Sequence, residues 1–349
     1  MTSIDPSQRE QVTSALAEYL RARPENREIS YVETPEQLSD GTDTFVYGFR
    51  LRSTDAGSPW SAPLVIRIFR SNEDGERAER ETSVQRFAAE RGFPTPTILA
   101  FERDGAHLGL PFAIMQRVAG LTLLKRFEQH PLRALSLVRT MAETHAALHR
   151  LPAAGCPIPA DGWLIERRLR TLATWMGKYE LPEAGRAYAW LDEHKGAVMA
   201  EERSLCHNDF HPLNIVVDDT GRAMVIDWSR ADLGDRLHDV ARSYVLMSLA
   251  QGGGRNLMER ALLLVSRFLA GRYLAAYRRL LPFDERRFRY WQAVLTFQSW
   301  VETAPMMALG AEAVGARAGA TSGYRRDIVA KTSREFWRCT RNFESGTWP

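Results

Sequence analysis

The stretch Leu205-Cys-His-Asn-Asp-Phe-His-Pro-Leu-Asn-Ile-Val-Val-Asp218 places an aspartate and an asparagine five residues apart, at Asp209 and Asn214. The turn sequence Asp-Asp-Thr-Gly follows, then a second apolar run that ends in Val225-Ile-Asp-Trp228. Two short apolar runs joined by such a turn predict a β-hairpin. Because a hairpin returns the chain to its starting end, we expect Asn214 and Asp227 to lie at the same open end.

The spacing of these polar residues predicts a chemistry. His-x-Asp-x-x-x-x-Asn followed by a second Asp is the layout of a phosphoryl-transfer loop and its metal-binding strand. Asp209 would orient an acceptor hydroxyl and accept its proton. Mg²⁺ takes few protein oxygens and completes its octahedron with water and phosphate, so one amide and one carboxylate are sufficient. We therefore predict Asp209, Asn214 and Asp227 as catalytic residues, with Asn214 and Asp227 as the magnesium ligands.

Three sequence elements together resemble the aminoglycoside phosphotransferase (choline kinase-like) family of small-molecule kinases. They are the segments 207–214, 225–228 and Gly234-Asp-Arg-Leu-His-Asp-Val-Ala241, which are similar to the family's His-Gly-Asp-x-x-x-x-Asn, Ile-Asp-Trp and Gly-Asp-x-x-x-Asp. The resemblance is sharpest over residues 205–241 and looser over about 39–120. One departure is Asn208, where the family most often has glycine; the carboxylate and the spacing are unchanged.

The resemblance implies an α+β, two-lobed fold of the protein kinase type. Residues 1–118 would form a nucleotide-binding lobe with an antiparallel β-sheet plus helices, and residues 119–349 a mainly α-helical lobe for catalysis and substrate binding. Short apolar runs over residues 29–69 and helical periodicity after residue 120 agree with this division. We expect Asp235 and Asp239 to bond backbone groups around the predicted catalytic loop.

Two residues of the first lobe form a candidate phosphate-binding pair. In Val65-Ile-Arg-Ile68, Arg67 stands where kinases carry a strand lysine that neutralises phosphate charge and is held by a helix glutamate. The family's sequence pattern at this helix, Arg-Glu before apolar residues, matches Arg80-Glu81 and favours Glu81 over Glu79 as the partner of Arg67. The alternative interpretation of Arg67 is a solvated residue on an edge strand.

The remaining nucleotide contacts are implied by the resemblance. In the family, a strand-turn-strand covers the nucleotide phosphates, and here Ser39, Gly41 and Thr42 occupy that place, although an ordinary Gly-polar turn explains these residues equally well. The family's hinge backbone bonds the adenine edge, which corresponds to Gln116 through Val118. ATP and Mg²⁺ are the expected cofactors, and the sequence leaves GTP open as an alternative.

Composition narrows the class of protein. The 349 residues suffice for two lobes, and a formal charge of +3 without basic runs argues against nucleic acid. The three cysteines form no CxxC pair, and the chain has no apolar leader and no run long enough to cross a bilayer. We therefore expect a cytoplasmic protein with no membrane segment and no obligate protein partner.

Other features of the sequence predict the class of phosphate acceptor and leave two alternative functions open. Asp227 is followed almost directly by the next helix, without the long activation loop and Ala-Pro-Glu of a protein kinase, which predicts a small-molecule hydroxyl substrate. The C-terminal part is rich in arginine, which favours an uncharged or anionic acceptor over a polycationic aminoglycoside. The alternatives are a metal-dependent hydrolase that uses His207, Asp209 and His211, and a non-catalytic nucleotide-binding pseudokinase.

Overall fold

A computed structural model describes residues 4–23, 30–40, 44–52, 57–159, 162–199, 203–249, 257–314 and 327–345. The chain divides into two compact units. The first contains the residues up to Leu121 together with 155–158 and 216–230, and the second contains the rest. The boundary predicted between residues 118 and 119 lies close to the end of the first continuous segment.

The first unit contains a five-stranded antiparallel sheet in the order β1-β2-β3-β5-β4. Its strands are β1 (Ser30–Asp40), β2 (Thr44–Arg52), β3 (Leu64–Phe69), β4 (Ile98–Glu102) and β5 (Phe112–Gln116). The predicted antiparallel sheet is confirmed, and β3 is its central strand. The edge-strand alternative for Arg67 is therefore wrong.

The sequence alternation of β3 sets which face of the sheet is buried. Leu64, Ile66 and Ile68 are fully buried, whereas Arg67 on the other face is partly exposed. Helix α1 (Arg9–Arg21) adds Val12, Leu16, Tyr19 and Leu20 to the same apolar cluster. Each such aliphatic side chain contributes roughly 1.5–3 kcal/mol by leaving water.

Helix α2 (Gly75–Glu90) follows a capping box at Ser71.

The first hairpin differs from its predicted form. Strand β1 continues to Asp40, so part of the segment predicted as a turn is extended, and Ser39 is opposite Val46 in β2. The side chain of Ser39 is not described. Gly41 and Thr42 lie outside the described residues.

The second unit is mainly helical. Its helices are α3 (Leu123–Gln129), α4 (Ala134–His149), α5 (Leu164–Lys178), α6 (Gly185–His194), α7 (Arg236–Leu249), α8 (Leu257–Leu280), α9 (Glu285–Leu309) and α10 (Ile328–Ser345). The helical periodicity predicted after residue 120 is confirmed. Helix α3 is short, and its first turn is capped by Thr122 Oγ1, which accepts from Lys125 N. None of the helices in the described ranges is long and apolar enough to cross a membrane.

Five short strands lie around the 205–228 segment or next to it in space. They are β6 (Leu121–Thr122), β7 (Ser204–Cys206), β8 (Ile215–Val217), β9 (Ala223–Val225) and β10 (Asp232–Gly234), with sheet orders β6-β8-β9 and β10-β7. The turn between β8 and β9 is closed by Asp218, whose N–H donates to Arg222 O over 3.1 Å and whose Oδ1 accepts from Thr220 N over 2.9 Å. The predicted hairpin is confirmed. Asn214 directly precedes β8, and Asp227 follows β9 by two residues.

Gly120 allows a close backbone approach that any side chain would prevent. Its φ is +118°, and an added Cβ would lie 2.3 Å from the carbonyl oxygen of Val217. We predict that Gly120→Ala destabilises the protein by at least about 2 kcal/mol more than Gly92→Ala. Gly92 also has a positive φ, +78°, but has no atom within 4 Å of its added Cβ. Urea unfolding measures the difference, and equal losses would contradict the close approach.

Candidate active site

The loop of residues 207–214, between β7 and β8, carries the predicted catalytic carboxylate. Asp209 Oδ1 accepts from Arg242 Nη2 over 3.1 Å, and Asp209 Oδ2 accepts from Asn214 Nδ2 over 3.3 Å. His211 Nε2 lies 3.4 Å from the same Oδ2. The structure therefore brings Asp209 and Asn214 together, as the spacing predicts. Arg242 is a further partner that the sequence analysis missed.

The orientation of Asn214 leaves its amide oxygen available. Its Nδ2 donates to the backbone carbonyl of Asp209 over 3.0 Å as well as to the Asp209 carboxylate. Among the described residues, no donor contacts the Oδ1 of this buried side chain. An oxygen of this kind is a suitable ligand for a hard cation such as Mg²⁺.

The side chain of Asp239, in α7, holds the 207–214 loop by accepting hydrogen bonds from the loop backbone. The N–H of His207 donates to Asp239 Oδ2 over 2.6 Å, and the N–H of Asn208 donates to Oδ1 over 2.9 Å. Asp239 is fully buried. Burial alone would raise the pKa of this carboxyl, but His145 and His149 outweigh burial and hold the pKa well below its usual range. The prediction that Asp239 bonds loop backbone is confirmed.

Two buried Tyr-His pairs complete the surroundings of this carboxylate. His145 Nε2 and His149 Nε2 lie 3.1 Å and 3.4 Å from Asp239 Oδ2, and their Nδ1 atoms lie 2.6 Å from Tyr273 Oη and 2.7 Å from Tyr277 Oη. Burial lowers the pKa of both imidazoles, so both are neutral at pH 7. Each tyrosine O–H then donates to a ring nitrogen, and the Nε2–H of His149 donates to Asp239, whereas Nε2 of His145 lies near the same oxygen without a hydrogen bond. We call this group the Asp239 network.

Asn208, the residue that departs from the family pattern, has a structural partner in α7. Its φ is +58°, a conformation that asparagine tolerates better than most residues. Its Oδ1 accepts from His238 Nδ1 over 2.8 Å. Burial holds the pKa of His238 well below its usual range, with Arg168 and Arg242 adding to the shift. The neutral histidine and the asparagine thus join the 207–214 loop to α7 beside Asp239.

Asp235 has a role different from the expected one. Its Oδ1 caps α7 by accepting from Leu237 N over 2.9 Å, and its Oδ2 accepts from Trp291 Nε1 over 2.7 Å and Arg287 Nη2 over 2.8 Å. These partners lie in α7 and α9. The expectation that Asp235 bonds backbone around the 207–214 loop is therefore wrong.

In the first unit, Arg67 and Glu81 form the expected ion pair. Glu81 is buried on α2, and Arg67 lies on the central strand of the sheet. Glu79, the competing residue, instead pairs with Arg103 over 2.7 Å. The choice of Glu81 as the partner is confirmed.

Asp227 is also in the first unit, on a segment that is fixed by Thr95. Val225 N donates to Pro94 O over 2.8 Å, and Thr95 Oγ1 donates to Val225 O over 2.9 Å. The indole N–H of buried Trp228 donates to the same Thr95 Oγ1 over 2.9 Å. Asp227 itself has φ +65°. Sequence reasoning missed Thr95, although its position between two prolines marks a rigid segment.

The hinge segment offers one backbone donor. Gln116 N donates to Thr97 O over 3.1 Å, and Arg117 N donates to Pro63 O over 2.8 Å. Within the described ranges, the N–H of Val118 meets no acceptor. Val118 is therefore the residue of this segment whose N–H is available to a ligand.

The metal cluster of the hydrolase alternative does not form among the described residues. His207, Asp209 and His211 are all described, but they do not form a group of potential metal ligands. The described residues that do are His145, His149 and Asp239. The His207 side chain is buried, whereas Asp209 and His211 are partly exposed.

Comparison with known proteins identifies the family. Residues 48–291 match the sequence model of the phosphotransferase enzyme family, APH. The chain belongs to this family. The solved structure of aminoglycoside phosphotransferase APH(4)-Ia superposes with a TM-score of 0.63 at 19% identity, over 98% of this chain and 100% of that one. Choline kinase LicA from Streptococcus pneumoniae gives 0.56 at 13%, over 95% and 98%. The fold of this phosphotransferase-family chain is therefore kinase-like.

One relative matches this chain over only a small part of its own length. Mouse acyl-CoA dehydrogenase family member 10 is 26% identical over 177 residues, which cover 47% of this chain and 16% of that protein. The similarity thus spans a small part of that relative.

The Asp239 network predicts an acid-sensitive fold. Burial, together with His145, lowers the pKa of His149 to about 4, whereas an unfolded histidine titrates near 6.5. Between these values the unfolded chain binds a proton that the folded chain excludes, so stability falls as the pH falls through this window. The shift corresponds to about 3 kcal/mol. Arg236, Tyr277 and Asp239 are the other groups that face His149.

We predict that His149→Gln flattens the dependence of unfolding free energy on pH between 7 and 4.5, although it lowers stability at pH 7. Urea unfolding across this range provides the measurement. His130→Gln, at an exposed histidine, is the matched control and should keep the wild-type slope. The same slope in both variants would contradict the assigned protonation of His149.

Proposed function

We propose that this protein is an ATP- and Mg²⁺-dependent phosphotransferase that phosphorylates a hydroxyl group of a small molecule, with Asp209 as catalytic base. The observation that carries the proposal is a partly exposed carboxylate on a loop that Asp239 holds by two backbone N–H groups. The family membership supports phosphotransfer. A variant of the structural neighbour APH(4)-Ia was solved with AMP-PNP and hygromycin B, a nucleotide analogue and a small-molecule substrate.

In this reaction Asp209 orients the acceptor. The hydroxyl oxygen forms a bond to the γ-phosphorus of ATP, and the bond from that phosphorus to the leaving ADP oxygen breaks. The hydroxyl proton passes to the Asp209 carboxylate and then to solvent. The hydrogen bond from Asn214 keeps the carboxylate directed while this transfer takes place.

Asn214 and Asp227 would hold Mg²⁺. The available amide oxygen of Asn214 and the carboxylate of Asp227 are the ligand types that this ion prefers. When bound, the ion neutralises charge that develops on the transferring phosphoryl group. The hydrogen bonds among Thr95, Val225 and Trp228 would keep Asp227 in place.

The first unit would bind the nucleotide. Arg67, oriented by buried Glu81, would donate to the α- and β-phosphates, and the backbone from Gln116 to Val118 would bond the adenine edge. We further propose that the segment with Ser39, Gly41 and Thr42 covers the phosphates. ATP is the proposed donor, and GTP belongs in the same assay.

We propose a cytoplasmic location. Cys156, Cys206 and Cys339 all lie in the described part of the chain and are not joined in disulfides, as expected in a reducing compartment.

We predict that Asp209→Asn lowers kcat by about a hundredfold or more, because the amide cannot accept the hydroxyl proton. Acceptor-dependent ADP release across a panel of hydroxyl compounds measures kcat, and calorimetry with AMP-PNP and Mg²⁺ measures nucleotide affinity, which should be unchanged.

Asp219→Asn makes the same chemical change at an exposed turn residue and serves as the control. Full activity of Asp209→Asn would remove Asp209 from the role of base. Nucleotide binding by the wild type without phosphotransfer to any hydroxyl compound would favour the non-catalytic alternative.

A further inference from the structure

A guanidinium lies beside the proposed catalytic carboxylate. Arg242 Nη2 donates to Asp209 Oδ1 over 3.1 Å, and each of the two side chains is 18% exposed. Positive charge at this distance stabilises the ionised carboxylate and weakens it as a proton acceptor. The proposed base role therefore does not require Arg242, and the contact indicates a second role for this residue.

Arg242 has hydrogen-bonding capacity that its protein partners do not fill. A guanidinium carries five N–H donors in a planar fork. Within the described part of the chain, Asp209 accepts from one of them, and the buried Nε has no acceptor. A buried donor without an acceptor destabilises the folded protein. Asp209 leaves the other N–H groups of the two Nη atoms without a described acceptor, and these are the donors that an incoming oxyanion would meet.

Two arginines act on the histidine that bonds the residue before Asp209. Arg168 and Arg242 both act on His238, which bonds the side chain of Asn208, the residue before Asp209. His238 is buried and neutral, so it adds no charge of its own. An acceptor that approaches Asp209 from this side therefore meets the Arg242 guanidinium, whose charge attracts an anion and repels an ammonium group.

We propose that Arg242 binds an oxyanion of the phosphate acceptor, so that the substrate is a hydroxylated carboxylate or phosphate ester. This inference rests on the proposed function, because it places the reacting hydroxyl at Asp209. The planar fork would hold the oxyanion through two N–H groups, with the hydroxyl directed to the Asp209 carboxylate. The acceptor hydroxyl gains the phosphoryl group and loses its proton to Asp209, and the oxyanion takes no part in bond exchange.

Acceptors matched in length and differing in charge test this assignment. One arm contains ω-hydroxycarboxylates of three to six carbons, the diols and the amino alcohols of equal length, and a second arm compares glycerol 3-phosphate with glycerol. Acceptor-dependent ADP release by the full chain with ATP and Mg²⁺ gives kcat/KM for each compound. We expect the wild type to prefer the anionic member of a pair by about tenfold or more, and the arm with the larger preference distinguishes carboxylate from phosphate.

Arg242→Gln should reduce the ratio of kcat/KM for the anionic acceptor to that for the neutral one by about tenfold, chiefly through KM. The ratio divides out any effect of the substitution on Asp209 itself. Arg242→Lys should keep part of the preference, because it retains the charge and loses the fork. Arg139→Gln removes one positive charge from an exposed site on α4 and should leave the ratio unchanged.

Phosphoryl transfer to neutral or cationic acceptors, with an anionic-to-neutral ratio of kcat/KM that Arg242→Gln does not change, would contradict the assignment of an anionic acceptor. The proposed kinase activity would still stand. Absence of acceptor-dependent ADP release with every charge class would overturn both.

Discussion

The buried carboxylate of Asp239 accepts hydrogen bonds from two consecutive backbone N–H groups, those of His207 and Asn208. Backbone donors of a buried loop must find acceptors, because each one left unpaired costs free energy. An ionised carboxylate offers each of them an unprotonated oxygen, and His145 and His149, whose Nε2 atoms lie 3.1 Å and 3.4 Å from Oδ2, hold the pKa of Asp239 low. The position of Asp209, the next residue, depends on this anchor.

The positive φ and a side-chain partner explain why the loop accommodates an asparagine at the position where the family pattern has glycine. Asn208 adopts a positive φ and directs its side chain to His238, one residue before Asp239 in α7. The loop is thus joined to α7 by both backbone and side chain. Arg242, one helical turn further along α7, contacts Asp209 itself. One helix therefore fixes the loop and also sets the charge beside its reactive carboxylate.

Local patterns in the sequence predicted much of this structure. The spacing of Asp209 and Asn214, the β8–β9 hairpin and the alternation of β3 depend on neighbouring residues, so they can be recognised without knowledge of the fold. The partnership of Arg67 with Glu81 followed from the family pattern and is present. The extent of β1 was not predicted, because the polar segment 33–40 reads as a turn and becomes a strand only by pairing with β2.

Contacts between residues distant in sequence could not be predicted in this way. His145 and His149 each pair with a tyrosine 128 residues further along the chain, and Thr95 bonds Trp228 across 133 residues. The i,i+4 spacing of the two histidines indicates a shared helix face but not the carboxylate that they share. Arg242 is one of many arginines in the C-terminal part, and only the packing of α7 distinguishes it.

Hydrogen exchange at the amides of His207 and Asn208 tests the anchoring role of Asp239 most directly. Asp239→Asn keeps the shape of the side chain but replaces one acceptor oxygen with a donor, so one of the two amides must lose its partner. We predict that exchange at these amides accelerates by orders of magnitude in this variant, while amides in the middle of α9 keep their protection. Unchanged protection at both loop amides in a folded Asp239→Asn protein would contradict it.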